Sequence, residues 1–177
     1  MPSGDLHITA VSPAELRLLH NLSRQTFAEA FGTMNTEANI RHYLKHNLSA
    51  TRLKEELLHP HSAFFFGRHE GKPVSYLKIN TGPAQTEMQD GSAMEIERIY
   101  VRRDKQGMSI GQRLLDHALE LALRNNMDRV WLGVWEENHR AISFYRRNGF
   151  EPFGRHDFML GRDRQTDILM HRPARLG

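Results

Sequence analysis

Tyr145, Glu97 and the turn Gln106-Gly107-Met108-Ser109-Ile110-Gly111 are the parts of this sequence best suited to chemistry. A phenol can hand a proton to a departing group, and a carboxylate can take one from an incoming nucleophile. Glu95 stands close to Glu97 in the same run as a second acid. The turn leads into the strongly amphipathic stretch 112–124. Such a turn leaves the unpaired N–H groups of a helix start pointing outward with the positive end of the helix dipole behind them, so a phosphate group is its natural ligand. Arg102, Arg103 and Lys105 precede it, and Arg146-Arg147 follow Tyr145. These clusters read equally as attraction for a phosphorylated ligand and as a solvated basic face. The chain has no cysteine, which excludes thiol catalysis and disulfides. Of its eleven histidines, His42 and His46 have i, i+4 spacing without the intervening glutamate of a zinc hydrolase motif, and His59 and His61 flank a proline. No metal centre is expected.

These groups need elements to hold them. Asn138 is a natural N-cap, Ala141, Ile142, Phe144 and Tyr145 share one helical face, and Asn148-Gly149 supplies the stop before a strand at Phe150. Residues 94–101 read as a strand whose alternation slips: Met94 and Ile96 are apolar at spacing two, but Ile99 and Val101 follow out of phase. A bulge at Glu97-Arg98 returns both pairs to one face; alternatively, Ile96 and Ile99 serve different layers of a sheet covered on both sides. Upstream, 6–10 alternates as a strand, and Ser12-Pro13-Ala14-Glu15 is a capping box opening a helix to about Ala30, which Gly32 breaks. Further helices are expected from Thr36-Glu37 to about Lys45 and over 51–58, then a hairpin of 63–68 and 73–80 around Glu70-Gly71. A polar loop fills 81–93, and later strands fall at 129–134, 150–160 and 166–172. Strands separated by helices imply parallel pairs and hairpins antiparallel ones, so the chain reads as α/β (α+β) with a mixed sheet.

Gln106-x-x-Ser109-x-Gly111 resembles the pyrophosphate loop of the GNAT-type N-acetyltransferases, and Asn138-x-x-Ala141-x-x-Phe144-Tyr145-x-x-x-Gly149-Phe150 resembles their late helix. The loop departs from the family at Ser109, where glycine is usual; a side chain there can crowd a pyrophosphate or donate to it through its hydroxyl. The resemblance implies the GNAT fold, a mostly antiparallel central sheet with flanking helices and a splayed parallel strand pair that admits acetyl-CoA. Contacts to that co-substrate are expected from Ile99, Tyr100 and Val101 of the strand, and from Gln106, Gly107, Met108, Ser109, Ile110 and Gly111 of the loop. Asn138, Tyr145 and Arg147 complete the set. The resemblance also makes Tyr145 the general acid and an amide at the bulge, Ile99 N–H or its neighbour, the holder of the thioester carbonyl. For Glu97 two readings stay open: the base that deprotonates the amine, and a salt-bridge partner of Arg98 or a nearby arginine.

Segments including 95–101, 131–136 and 165–167 resemble the bacterial spermidine/spermine acetyltransferases within that family, which implies a polyamine acceptor. Carboxylates for such a polycation are available at Glu29, Glu37, Glu87 and Glu95, and His156 and Asp157 are further candidates for the acceptor pocket. Another small amine, an antibiotic or a protein amine, and a non-catalytic acyl-CoA sensor, are the alternatives. Without a cysteine nucleophile, direct attack in a ternary complex is the simplest route. At 177 residues, 39% of them hydrophobic, the chain suits one domain over 1–177 with 6–172 ordered. The net charge of +3 comes from dispersed basic residues, so nucleic acid is not an expected partner. No run has membrane-spanning length and no signal core is visible, so a cytoplasmic monomer or homodimer is expected.

Overall fold

The computed structural model describes residues 5–87 and 90–176. In chain order the elements are β1 (Leu6–Ala10), α1 (Leu16–Phe31), α2 (Glu37–Asn47), α3 (Ala50–Leu58), β2 (Ser62–His69), β3 (Lys72–Thr81), β4 (Ala93–Val101), α4 (Ile110–Arg124), β5 (Arg129–Trp135), α5 (His139–Arg147), β6 (Glu151–Leu160) and β7 (Asp163–Pro173). Local chemistry sets the helix starts. Glu15 Oε1 accepts from Ser12 N–H at 3.1 Å to close the capping box ahead of α1. Thr36 and Ser49 cap α2 and α3 by accepting from Asn39 N–H and Arg52 N–H, each at 3.2 Å.

The seven strands form one sheet in the order β1-β2-β3-β4-β5-β7-β6, and every neighbouring pair is antiparallel except β4 and β5. Helix α4 is the crossover that a parallel pair requires. The β4–β5 pairing runs only from Ala93↔Arg129 to Ile96↔Leu132. Beyond it, β4 stays with β3 as far as Ser75↔Val101, and β5 stays with β7 as far as Trp135↔Asp167. The two strands therefore part in mid-sheet, and among the described residues the edge of β4 that had faced β5 has no strand partner from Glu97 onward.

Lys78 of β3 opposes Arg98 while its neighbour Ile79 opposes Ile96, which leaves Glu97 as the extra residue of a bulge. The bulge settles the phase slip: Met94, Ile96, Ile99 and Val101 all pack into the core between the sheet and helices α4 and α5. The opposite face, under α1, α2 and α3, holds Leu19, Leu53, Phe66, Tyr76 and Trp135. Fully buried side chains such as Leu114 and Leu132 on the first face contribute about 2 kcal/mol each, which keeps the two layers rigid around the parting strands. Among the described residues no helix is long and apolar enough to cross a membrane.

Candidate active site

The parting of β4 and β5 opens into a cleft of ≈ 1130 Å³ lined from both strands, both adjoining helices and β7. At one end lies the start of α4. It begins at Ile110, two residues ahead of the amphipathic run, because Ser109 takes the left-handed conformation (φ 60°) and turns the chain into the helix as its N-cap. Gly107 is also left-handed (φ 84°), and nothing stands within 4 Å of the space its side chain would occupy. Arg113 N–H is the first to bond back into the helix, to Ser109 O at 3.2 Å, so the amides ahead of it face the cleft without intrahelical partners. Ser109 bonds none of them with its side chain, which leaves the hydroxyl available to a ligand. Gln106 fixes the loop by donating to Val101 O at 3.3 Å and accepting from Arg140 of α5 at 3.2 Å.

Helix α5 presents Tyr145. Asn138 Oδ1 accepts from Ala141 N–H at 3.2 Å to cap it, and Gly149 at φ 87° ends it. The carboxamides of Asn148 and Gln112 bond each other in both directions, at 2.8 and 3.1 Å, and so lock the end of α5 to the start of α4. Tyr145 packs edge-on against Phe150 and is 7% exposed, yet its hydroxyl has no protein partner among the described residues and its side chain lines the cleft. Burial pushes the phenol well above its usual pKa, so it carries its proton throughout the neutral range.

Acidic groups gather at the opposite end, around the bulge. Glu95 is buried: Asn80 and Thr86 N–H donate to its Oε1 at 2.9 Å each, and the Thr86 hydroxyl donates to Oε2 at 2.5 Å. Burial nevertheless raises its pKa above the ordinary glutamate value. Glu97 Oε2 forms an ion pair with buried Lys78, without hydrogen-bond alignment, and stands 3.8 Å from Arg98. Arg98 spends its fork on Glu56 of α3, at 2.7 and 2.9 Å. Asp167 of β7, which the sequence marks only within the segment 165–167 and not as a site residue, also lines the cleft, and burial pushes its carboxyl up to about 6.

The structure brings together most of the residues that the sequence singles out. Glu97, Ile99, Tyr100, Val101, Gln106, Gly107, Ser109, Ile110, Gly111, Asn138, Tyr145 and Arg147 all line the one cleft. Met108 does not: its side chain turns into the core beside α4. Of the acidic candidates Glu29, Glu87 and Glu95 reach the cleft, whereas Glu37 pairs with Arg41 on the outer face of α2. His156 lines it and contacts Glu87, while Asp157 is turned away, accepting from Thr166 at 2.8 Å and pairing with Arg164.

Residues 20–150 match the family model described as Acetyltransferase (GNAT) family. The chain is 37% identical over 163 residues to an uncharacterized N-acetyltransferase in the pepI 3' region of Lactobacillus delbrueckii subsp. lactis, a match covering 92% of this chain and 94% of that one. To the spermine/spermidine N(1)-acetyltransferase of Bacillus subtilis it is 28% identical over 91 residues, 51% of this chain and 60% of that one. Among solved structures, the PaiA N-acetyltransferase of Thermoplasma acidophilum, crystallised with coenzyme A, superposes with a TM-score of 0.78 at 18% identity, covering 96% of this chain and 99% of that one. At that identity the likeness bears on the fold alone. Matched along residues 20–150 and related to the Lactobacillus protein over nearly its whole length, the chain belongs to the acetyltransferase (GNAT) family and is an N-acetyltransferase with the GNAT fold.

Proposed function

We propose that this enzyme moves an acetyl group from acetyl-CoA to a primary amine by direct attack in a ternary complex, and that the acceptor is a polyamine such as spermidine or spermine. One observation carries the reading: a single cleft runs from the unpaired amides of α4, past the free hydroxyl of Tyr145, to a cluster of carboxylates at the bulge. Its ends differ in what they leave free. Lys105, Arg140 and Arg147 border the amide end, where they suit a pyrophosphate; at the other end Glu87, Glu95, Glu97 and Asp167 stand among Arg98 and His156, and Asp167 is the carboxylate left without a hydrogen bond or ion pair among the described residues, where it suits an ammonium.

The residues present fit acetyl-CoA. Amides of 107–111 and the Ser109 hydroxyl offer donors to the pyrophosphate, and left-handed Gly107 lets the backbone come close to it. Acetyl-CoA supplies an acyl thioester, activated toward attack by nitrogen. Ile99 N–H, on the stretch of β4 that has left β5, would polarise the thioester carbonyl. Tyr145 keeps its proton until the C–S bond breaks and gives it to the sulfur, which prevents expulsion of a free thiolate. The spermine/spermidine N(1)-acetyltransferase of Bacillus subtilis supports the acceptor class. A panel of spermidine, spermine, monoamines and a peptide α-amine, followed by thiol release, tests it. The polyamines should give the highest kcat/KM; a preference for a monoamine or the peptide would overturn the acceptor class.

A further inference from the structure

Resting on that reading, we propose that the Asp167 carboxylate seats the ammonium of the acceptor and takes its proton, the part that the sequence had offered to Glu97. Both acids of the bulge are engaged by the fold. Glu95 has donors on both oxygens, and Glu97 faces the Lys78 ammonium with Arg98 beyond it. An acid already neutralised by a fixed cation gains little from binding another, and it is a weak proton acceptor. Asp167 differs in that no donor or cation of the described residues pairs with its side chain. A half-buried carboxylate without a partner is costly unless a ligand cation supplies one.

Its place is also the right one. Asp167 stands opposite Trp135 at the last rung of β5 with β7. Its Oδ2 lies 3.2 Å from where a side chain of Gly133 would begin, and Gly133 is the first residue of β5 beyond the final β4–β5 rung. The missing side chain thus keeps open a space between the carboxylate and the mouth of the parted strands. Trp135 packs with the helices α1, α2 and α3, whereas Tyr145 packs with the opposite core, so the proton acceptor and the proton donor reach the cleft from opposite faces of the sheet.

The charged and titratable groups around Asp167 come from every neighbouring element. Tyr43 of α2 and Tyr100 of β4 lie close enough to feel its charge. His156 faces it across the β6–β7 ladder and is itself held by Glu87 from the loop before β4. Burial raises the Asp167 carboxyl to about 6, the charge of His156 works against the rise, and Glu87 adds to it. The carboxylate is therefore ionised at pH 7 and still basic enough to accept a proton from an ammonium poised for attack.

Written in full, the ammonium gives one proton to Asp167, and the freed amine nitrogen forms the C–N bond to the thioester carbonyl carbon. The C–S bond breaks, the sulfur takes the Tyr145 proton, and the second proton of the nitrogen leaves to solvent. Solvent then reprotonates Tyr145 and receives the proton from Asp167, so ammonium and thioester become amide, thiol and one free proton.

The test compares Asp167→Asn and Glu97→Gln with the wild type, using spermidine as acceptor and saturating acetyl-CoA. Wild-type kcat/KM should rise through about pH 6 and then level. Asp167→Asn should fall about 10²-fold at pH 7 and climb roughly tenfold per pH unit as solution supplies free amine, with coenzyme affinity by calorimetry and the melting temperature unchanged. Glu97→Gln should keep the wild-type shape. In addition, a 13C-carboxyl NMR resonance that Asp167→Asn removes should titrate near pH 6 and shift downward in pKa when spermidine is added. Parallel wild-type and Asp167→Asn profiles, loss of the acid limb in Glu97→Gln instead, or a resonance indifferent to spermidine would each overturn the assignment. A wild-type protein that binds acetyl-CoA and acetylates no amine would overturn the underlying functional reading, and this assignment with it; the wild-type arm alone reports that.

Discussion

Replacing Tyr145 by phenylalanine removes one hydroxyl and nothing else. The ring is held by Phe150, with centroids 5.7 Å apart, and by Phe144 at 5.3 Å, and these contacts survive the substitution. Because the hydroxyl has no partner among the described residues, its loss strands no described donor or acceptor, and the unfolding free energy should change by less than about 1 kcal/mol. Coenzyme affinity should stay within about twofold, since proton transfer to sulfur belongs to the transition state and not to binding. Turnover, by contrast, should drop about 10²-fold or more, equivalent to roughly 2.7 kcal/mol of lost transition-state stabilisation. The phenol's raised pKa fixes the sign of its pH behaviour: burial favours the protonated acid, so the wild-type rate should not fall at high pH until well past the ordinary tyrosine range. Thiol release at saturating acetyl-CoA, paired with calorimetry of coenzyme binding, measures both quantities. Wild-type turnover in Tyr145→Phe, or a loss of coenzyme affinity as large as the loss of rate, would reduce Tyr145 to packing.

Gly111→Trp should weaken coenzyme binding at least tenfold by calorimetry while leaving the fold intact, because a side chain begins there in open space, with only Val101 Cγ2 at 3.9 Å. Wild-type affinity would remove the loop assignment. Ser109→Val should lower stability in a denaturant titration by about 1 to 2 kcal/mol, since a β-branched residue fits the left-handed backbone badly, while Ser109→Gly should cost nothing. Glu56→Ala takes from Arg98 the carboxylate that fills its fork and from Lys78 one of its two carboxylate partners, and should destabilise the fold by about 3 kcal/mol. Burial raises the Glu56 pKa, but the bonds and charges of Arg98 and Lys78 outweigh it and hold the carboxyl below its ordinary value. That contribution is therefore present above the unfolded glutamate pKa and lost as pH falls through the folded one, so the wild type should lose more stability on acidification than Glu56→Ala does.

Much of this was legible because the signals are local. The capping box at Ser12 and Glu15, the stop at Gly149 and the break in alternation at Glu97 each report a backbone requirement that neighbouring residues must meet. The early start of α4 was missed because its first residues, Ile110 and Gly111, read as the end of the glycine-bearing turn, although Ile110 is buried in the core and left-handed Ser109 already turns the chain into the helix. Long-range geometry was out of reach. Lys78, Glu56, Glu97 and Arg98 converge from three separate elements, and nothing along the chain announces their meeting. Asp167 likewise reads as an ordinary polar position of a strand until the β5–β7 register sets it over Gly133.

The central claim is that one cleft holds acetyl-CoA and an amine together and joins them. Two-substrate kinetics with acetyl-CoA and spermidine, with mass spectrometry of the products, tests it most directly. Intersecting initial-rate patterns and one acetylated spermidine per thiol released are the predicted result. Coenzyme binding with neither thiol nor acetylated amine, or the parallel patterns of an acetyl-enzyme route, would contradict it.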